Sequence, residues 1–288
     1  MAEMPAALHS RTAKARVAWT GLALAMILFP SIALPRSTPL ANVDKGRGEP
    51  VIVLIHGLGQ DGTLWNRVVP ALEARHRLVI VDLPGHGGSP PLSSPSVPAV
   101  AEALDRTLKE RNVKRALLVG HSYGGLIALE EAAAHPERVL GIISIDLATY
   151  VPVDSERVAN LNQIIEERYP LFIQGVFTPM THDSSQVDSV LAKAERVPRP
   201  VLAAYFRSVW RTDLRERIRS LKTPVLVLTT AETWPGSESW ENARTRLGFV
   251  TAGPVQGRRI MGSGHLIPID QPDSLATAIE EYASGLKR

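Results

Sequence analysis

Short apolar runs alternate with helix-patterned segments along most of the chain. Runs of β-branched and aliphatic residues predict strands buried on both faces at 51–55, 77–82, 116–119, 140–145 and 225–228, with a last strand near 259–261. Helical spacing predicts helices over 63–75, 97–111, 126–134 and 237–247, and a C-terminal helix after Pro272. Strands that alternate with helices favour an α/β fold, with a mostly parallel central sheet and helices on both faces.

Two stretches depart from this alternation. Residues 35–50 form a loose segment containing Pro and Gly, without a strand pattern. Residues 150–221 contain no convincing buried strand and look helical, with prolines breaking the pattern. We therefore expect residues 34–149 and 222–288 to build one α/β core, and residues 150–221 to form a helical insertion after the fourth predicted strand.

The N-terminus has the layout of a secretory signal peptide. Arg11, Lys14 and Arg16 precede an uncharged apolar run over 17–29, and Ser31-Ile-Ala33 offers small residues at the two positions a signal peptidase recognises. We expect residues 1–33 to be removed on export to the periplasm or medium. A membrane span needs about 20 apolar residues, so this run is short, but residues 17–34 are an alternative as an uncleaved membrane anchor.

Composition excludes several kinds of chemistry. The formal net charge is +3, no basic stripe with interleaved aromatics is present, and a nucleic-acid partner is not expected. The absence of cysteine excludes disulfides, thiolate metal sites and a cysteine nucleophile. There is no His-Glu-x-x-His motif or similar ligand spacing, so neither a metal nor a cofactor is expected.

The strongest motif is Gly120-His-Ser122-Tyr-Gly124, directly after a predicted strand and directly before a predicted helix. A serine on such a tight turn has its hydroxyl exposed, while glycines two residues away on either side keep neighbouring side chains clear. The amides at the following helix start point toward an oxyanion formed there. Ser122 is therefore the candidate nucleophile.

Two further glycine-rich loops supply the other parts of such a site. In His56-Gly-Leu58-Gly59 the backbone N–H of Leu58 is expected to face the serine and to form an oxyanion hole with the N–H of Tyr123. The His56 side chain is interpreted as a structural hydrogen-bonding group. A serine hydroxyl needs a base, and His265, in Gly262-Ser-Gly-His265 after the last strand, is the candidate.

These motifs, together with Asp82-Leu-Pro-Gly-His-Gly-Gly-Ser89, stand in the order found in the α/β-hydrolase superfamily, which the chain resembles from Val51 to the C-terminus. The branch it is similar to holds small serine esterases, lactonases and haloperoxidase-like enzymes. The resemblance implies that residues 150–221 form a helical cap over the active site. Dehalogenase and epoxide-hydrolase relatives use an aspartate where this chain has Ser122, so those chemistries are not expected.

The acid of the triad is open between two carboxylates. Many relatives carry Gly-x-x-Asp after the strand equivalent to 225–228, but this chain continues Thr229-Thr-Ala-Glu232 without an aspartate. Asp146 ends the strand 140–145 and should emerge at the same sheet edge as Ser122 and His265. We choose Asp146 as the acid, with Glu232 as the alternative.

Two other interpretations remain. Gly57-x-Gly59-x-x-Gly62 with Asp82 twenty residues on matches a dinucleotide-binding fingerprint and would suggest an NAD(P)-dependent oxidoreductase. It leaves the serine turn and His265 unexplained. The scaffold could also be a non-catalytic binding protein, although both nucleophile and base are present.

The predicted function is hydrolysis of an ester, lactone or similar acyl bond through an acyl-enzyme on Ser122. The partner is a small-molecule acyl substrate. Aromatic and apolar side chains of the insertion suggest an apolar pocket: Tyr169, Phe172, Phe177, Met180, Tyr205, Phe206 and Trp210.

Overall fold

Seven strands form one sheet in the computed structural model, which describes residues 38–286. The strands are β1 (Asn42–Lys45), β2 (Val51–Ile55), β3 (Leu78–Val81), β4 (Ala116–His121), β5 (Val139–Ile145), β6 (Val225–Thr230) and β7 (Val255–Ile260). Their order across the sheet is β1-β3-β2-β4-β5-β6-β7, and every pairing is parallel except that of β1 with β3. The predicted α/β class with a mostly parallel sheet is confirmed.

The helices of the described residues fill the connections between these strands. They are α1 (Val69–Leu72), α2 (Val97–Glu110), α3 (Tyr123–Ala134), α4 (Ser155–Glu167), α5 (Tyr169–Phe177), α6 (Val187–Arg196), α7 (Arg199–Arg211), α8 (Arg215–Ile218), α9 (Trp240–Arg246), α10 (Ile267–Asp270) and α11 (Pro272–Gly285). The continuous helix predicted over 63–75 is wrong. A 3₁₀ turn at Gly62–Trp65 and the single-turn α1 replace it, because Pro70 fits only the first turn of a helix.

The sheet is buried on both faces, as its strand sequences predict. In β2, Ile52 and Leu54 join a core cluster with side chains of α1 and α11. Val53 and Ile55 point the other way and join a cluster with side chains of α2 and α3. Complete burial of each such side chain stabilises the fold by about 1.5–3 kcal/mol.

Strand β1 corrects the prediction of a loose segment over 35–50. It pairs antiparallel with β3 at the edge of the sheet, with Val43 opposite Ile80. Its sequence Asn-Val-Asp-Lys carries a single apolar residue, and that residue is 53% exposed. An edge strand without a buried face has no hydrophobic pattern from which it can be predicted.

The insertion between β5 and β6 contains α4 to α8. It packs onto the loops that follow β2 and β3. A Cβ on Gly59 would lie 2.4 Å from the ring of Phe177, and Gly59 has φ +70. The Tyr205 hydroxyl donates to the carbonyl of Pro84 (2.9 Å). The insertion thus lies over the carboxyl ends of these two strands.

The predicted signal peptide, residues 1–33, and the alternative anchor, residues 17–34, lie outside the described residues. Across residues 38–286, none of the helices has the length and apolar character needed to cross a membrane.

Candidate active site

Ser122 occupies the turn between β4 and α3 in an unusual backbone conformation. Its φ of 51 and ψ of −121 lie outside the regions that side-chain-bearing residues normally adopt, and such a conformation persists only where its surroundings enforce it. The Ser122 N–H donates to the carbonyl of Ile145 (2.8 Å), and its carbonyl accepts from the N–H of Gly125 (2.8 Å). The neighbouring strand and the first helical turn therefore fix the serine at the carboxyl edge of the sheet.

The two outer glycines of the serine motif are required by close backbone approach. A Cβ on Gly120 would lie 2.3 Å from the carbonyl oxygen of Gly124. A Cβ on Gly124 would lie 2.4 Å from the carbonyl oxygen of Ile55. Because both obstacles are backbone atoms, neither can move aside, and only glycine lets α3 begin this close to β2 and β4.

His265 and Asp146 meet at the same edge. The Nδ1–H of His265 donates to Oδ2 of Asp146 (2.7 Å), and Oδ1 of Asp146 accepts from the N–H of Thr230 (3.1 Å). The hydrogen bond fixes the neutral ring with its proton on Nδ1, so that Nε2 is the basic nitrogen. Like Ser122, Asp146 has a positive φ, of 48.

The surroundings of Asp146 hold it in its charged form. Burial opposes ionisation, but the hydrogen bond from His265, the positive charge that this ring carries when it is protonated and the N–H of Thr230 outweigh it. The pKa of Asp146 is therefore below its ordinary value. A buried, ionised carboxylate beside His265 is suited to stabilise an imidazolium at that position.

Ser122, His265 and Asp146 all line one cavity of about 240 Å³. In the part of the chain that the structure describes, the Ser122 hydroxyl has no hydrogen-bond partner, which leaves it free to meet a ligand or the ring of His265. Catalytic hydrogen bonds are often formed only once substrate is bound. The structure thus brings the predicted nucleophile, base and acid to the same space.

The two residues predicted to form the oxyanion hole, Leu58 and Tyr123, also line this cavity. Tyr123 is the first residue of α3, where backbone N–H groups have no intrahelical acceptor. A Cβ on Gly57 would lie 3.0 Å from the Cβ of Ser122, so the loop carrying Leu58 passes directly beside the serine. Neither amide donates a hydrogen bond within residues 38–286.

His56 has the structural role that the sequence suggested. Its Nδ1–H donates to the carbonyl of Gly57 (2.7 Å), and its Nε2 accepts from the N–H of Leu83 (2.9 Å). Both ring nitrogens are therefore occupied. Burial lowers the pKa of His56 to about 4, so the ring is neutral at physiological pH. It ties the loop after β2 to the loop after β3.

His121 supports the base, a role not recognised in the sequence. Its Nε2–H donates to the backbone carbonyl of His265 (2.9 Å), and the two ring centroids lie 4.7 Å apart. Burial and the neighbouring His265 lower the pKa of His121, so it remains a neutral donor. Its place inside the serine motif is the one signal that could have drawn attention to it.

Glu232 does not reach His265. Its carboxylate lies 3.3 Å from Nε2 of His182, and its side chain is 75% exposed. Of the two acid candidates, the structure brings Asp146 to the imidazole and leaves Glu232 at the surface.

The apolar side chains expected from the insertion divide into two groups. Phe177, Met180 and Phe206 line the cavity. The other four pack elsewhere, so expecting them in the pocket was wrong. Phe172 and Trp210 contact the ring of Phe206. The Tyr205 hydroxyl donates to the carbonyl of Pro84, and the guanidinium of Arg199 lies over the ring of Tyr169.

The dinucleotide-binding interpretation fails on the role of Asp82. Its carboxylate accepts from the N–H of Gly62 (2.7 Å) and of Gly88 (2.8 Å), which bridges two loops of the protein itself. It is therefore not free to hold a ribose, and Gly59 has Phe177 packed against it.

One group of side chains in the described residues has a spacing that could hold a metal ion: Asp105, Glu131 and His135, with ligand atoms within 4.8 Å of one another. None of them lines the cavity. Asp105 is already paired with Lys109 and Arg138, which supply the positive charge a cation would bring.

A model of the alpha/beta hydrolase family matches residues 52–278. The chain belongs to this family, and it is a hydrolase. The resemblance predicted from its motifs is confirmed.

Relatives and solved structures agree with this assignment. The pimeloyl-[acyl-carrier protein] methyl ester esterase of Edwardsiella ictaluri is 29% identical over 259 residues, which cover 83% of this chain and 95% of that protein. A hydrolase from Oleispira antarctica superposes with a TM-score of 0.76 at 17% identity, over 86% of this chain and 96% of its own. A thermophilic esterase from Thermogutta terrifontis superposes with a TM-score of 0.73 at 23% identity, over 85% of this chain and 93% of its own. These two show the shared fold.

Proposed function

We propose that the enzyme hydrolyses esters of small apolar acyl groups through an acyl-enzyme on Ser122. The observation that carries the proposal is the 2.7 Å hydrogen bond between His265 and Asp146, in the cavity that also contains Ser122. A base oriented by a buried carboxylate, next to a serine on a strained turn, is the arrangement that activates a hydroxyl for acyl transfer. The name of the Edwardsiella relative, a methyl ester esterase, supports the ester as the bond cleaved.

The proposed reaction has two halves. Nε2 of His265 takes the hydroxyl proton as Oγ of Ser122 attacks the carbonyl carbon. The N–H groups of Leu58 and Tyr123 bind the oxyanion. The carbon–oxygen bond to the alcohol then breaks, and His265 gives its proton to the leaving alkoxide. In the second half His265 deprotonates a water, which attacks the acyl-enzyme, and Ser122 recovers its proton as the acid leaves.

The cavity lining supports an apolar, uncharged acyl group. Apart from His265 and Asp146, the lining is aliphatic, aromatic or uncharged, and among the described residues that line it none is Lys or Arg. A terminal carboxylate in the acyl chain would therefore be desolvated without a partner, which is costly. A volume of about 240 Å³ also limits acyl length.

A fluorophosphonate probe tests the nucleophile. An activated serine attacks phosphorus, so the wild-type protein should gain one adduct by intact-mass measurement, while Ser122→Ala should gain none. Ser94→Ala, in the exposed loop before α2, is the matched control and should label normally. An unlabelled wild type, or an adduct that persists on Ser122→Ala, would contradict the proposal.

A substrate series tests the acyl pocket. The p-nitrophenyl esters of butyrate, hexanoate and octanoate should be cleaved with higher kcat/KM than the palmitate. The mono-p-nitrophenyl ester of adipic acid matches the hexanoate in length but ends in a carboxylate. We expect its kcat/KM to be at least about tenfold lower. Equal values for the two would show that the pocket accepts charge.

The proposal includes export, with a mature chain that starts near Leu34. The support is the small-x-small sequence Ser31-Ile-Ala33 after the apolar run. N-terminal sequencing of protein from the native cell envelope tests it. A retained Met1 in the membrane fraction would instead support the anchor, and a full-length chain in the cytosol would contradict both.

A further inference from the structure

One carboxylate, that of Asp270, connects the insertion to the loop that carries His265. Its Oδ2 accepts hydrogen bonds from the N–H of Gly264 (2.8 Å) and from the N–H of His182 (3.0 Å). Gly264 is the residue directly before His265, whereas His182 belongs to the insertion. The same oxygen therefore binds both the insertion and the loop that carries His265.

The other oxygen of Asp270 binds the insertion alone. Oδ1 accepts from the hydroxyl of Thr181 and, at 3.4 Å, from the N–H of Asp183. All four contacts of the carboxylate are made by donors, and three of them come from residues 181–183. A carboxylate suits this position because it accepts at both oxygens and donates at neither.

A second contact holds Leu266, the residue directly after His265. The N–H of Leu266 donates to the carbonyl of Met180 (2.7 Å), and Met180 lines the cavity. A Cβ on Gly264 would lie 2.9 Å from that same carbonyl, so the two segments are closely packed. The residues on both sides of His265 are thus fixed to the segment 180–183.

We propose that Asp270 is a positioning residue that couples the position of the insertion to the placement of the His265 ring. The proposal rests on the proposed role of His265 as general base. If the Gly264 contact is lost, the loop can move while Asp146 still binds Nδ1, and the ring leaves its position beside Ser122. A misplacement of about 1 Å can cost on the order of 10²-fold in rate.

The chain offers substitutions that separate this role from general stability. Asp270→Ala removes all four hydrogen bonds. Asp270→Asn retains an oxygen for Gly264 and His182, and its NH₂ can donate to the Thr181 hydroxyl. The N–H of Asp183 loses its contact at 3.4 Å but keeps its bond to that hydroxyl (3.0 Å). Thr181→Val removes that acceptor. Asp273→Ala, an exposed aspartate in the first turn of α11, is the matched control.

The measurements are kcat and KM for p-nitrophenyl acetate, whose acyl group is shorter than any in the substrate series, and the rate of fluorophosphonate labelling. For Asp270→Ala we expect kcat and the labelling rate to fall together by about 10–100-fold with KM nearly unchanged. Asp270→Asn should stay within about threefold of wild type, since its contacts with Gly264, His182 and Thr181 are kept. Asp273→Ala should match wild type.

If Asp270→Ala does not fold, the double variant Asp270→Asn/Thr181→Val replaces it, because the amide NH₂ then faces a methyl group. We expect this double variant to lose more activity than the product of the two single effects. A folded Asp270→Ala with wild-type kcat, or a double variant without that excess loss, overturns the role of Asp270. A wild-type protein that is not labelled overturns the proposed function instead, so the two failures are distinguishable.

Discussion

Asp146 and Glu131 are both buried carboxylates, but among the described residues only Asp146 has hydrogen-bond partners. Asp146 accepts hydrogen bonds from His265 and Thr230 at the carboxyl edge of the sheet. Glu131 lies on α3, and within the described residues neither of its carboxylate oxygens has a hydrogen-bond partner. Burial disfavours the charged form of both, so the partners decide which of them is ionised.

The pKa values of the two carboxylates are shifted in opposite directions. The pKa of Asp146 is lowered, whereas burial and the negative charge of Asp105 raise the pKa of Glu131 to about 8. At neutral pH the fold thus holds an anion beside the base and a neutral acid between two helices. Of these two carboxylates, only Asp146 is an anion that can stabilise an imidazolium, whereas Glu131 is protonated and does not line the cavity.

The largest effect should come from Asp146→Asn. Asparagine tolerates the positive φ at this position and preserves the shape of the side chain, so the variant should fold. It can no longer stabilise the imidazolium or fix the proton on Nδ1 of His265. We expect kcat to fall by about 10⁴ with an unchanged thermal unfolding transition, measured with a chromogenic ester and by circular dichroism.

Asp154→Asn, an aspartate that caps α4 at the surface, is the matched control and should leave kcat unchanged. A folded Asp146→Asn enzyme that retains a tenth of wild-type turnover would show that His265 is oriented by another group.

The parts of the site that are predictable from sequence are those whose signals are local. Ser122 and His265 each lie in a glycine-rich motif at a strand end, so neighbouring residues reveal them. The acid was a choice between two strand ends, because only the folded chain decides whether Asp146 or Glu232 reaches the ring.

Other features depend on contacts between segments far apart in the chain. The bond from His121 joins residues 144 positions apart, and the contacts of Asp270 with the 181–183 loop span almost ninety. No local pattern encodes such pairs. Similarly, Tyr205 and Phe206 are adjacent in sequence, yet only Phe206 lines the cavity, since helical geometry turns successive side chains in different directions.

The protonation of Glu131 predicts an effect of pH on the stability of the protein. Glu131 keeps its proton in the folded state up to about pH 8, whereas its ordinary value, which applies to the unfolded chain, is 4.5. The folded state therefore binds the extra proton between these values, and the free energy of unfolding should decrease as pH rises through this window. Glu131→Gln removes the titration, which costs wild type about 4–5 kcal/mol at pH 8. The unpaired buried amide costs the variant about 1–3 kcal/mol, so its free energy of unfolding should exceed that of wild type by about 2–4 kcal/mol at pH 8.

Urea unfolding at pH 5, 6.5 and 8 measures this difference. Glu241→Gln, whose side chain is 71% exposed on α9, is the matched control and should keep the wild-type pH dependence. If Glu131→Gln retains the wild-type slope, then Glu131 is ionised in the folded protein and a partner stabilises it.

The smallest effect should come from Glu232→Gln, which tests the exposed carboxylate against the buried one. Glu232 lies beside His182, and an ion pair this exposed contributes about 0–1 kcal/mol. The substitution keeps the side-chain length and removes only the charge, so kcat for the same ester should stay within about twofold of wild type. His182→Gln removes the other partner and should match it, because the segment around His182 is held by Asp270 through the backbone N–H. The decisive pattern is the pair of results with Asp146→Asn: if Glu232→Gln loses turnover while Asp146→Asn remains active, the acid lies after β6, and the hydrogen bond between His265 and Asp146 is structural.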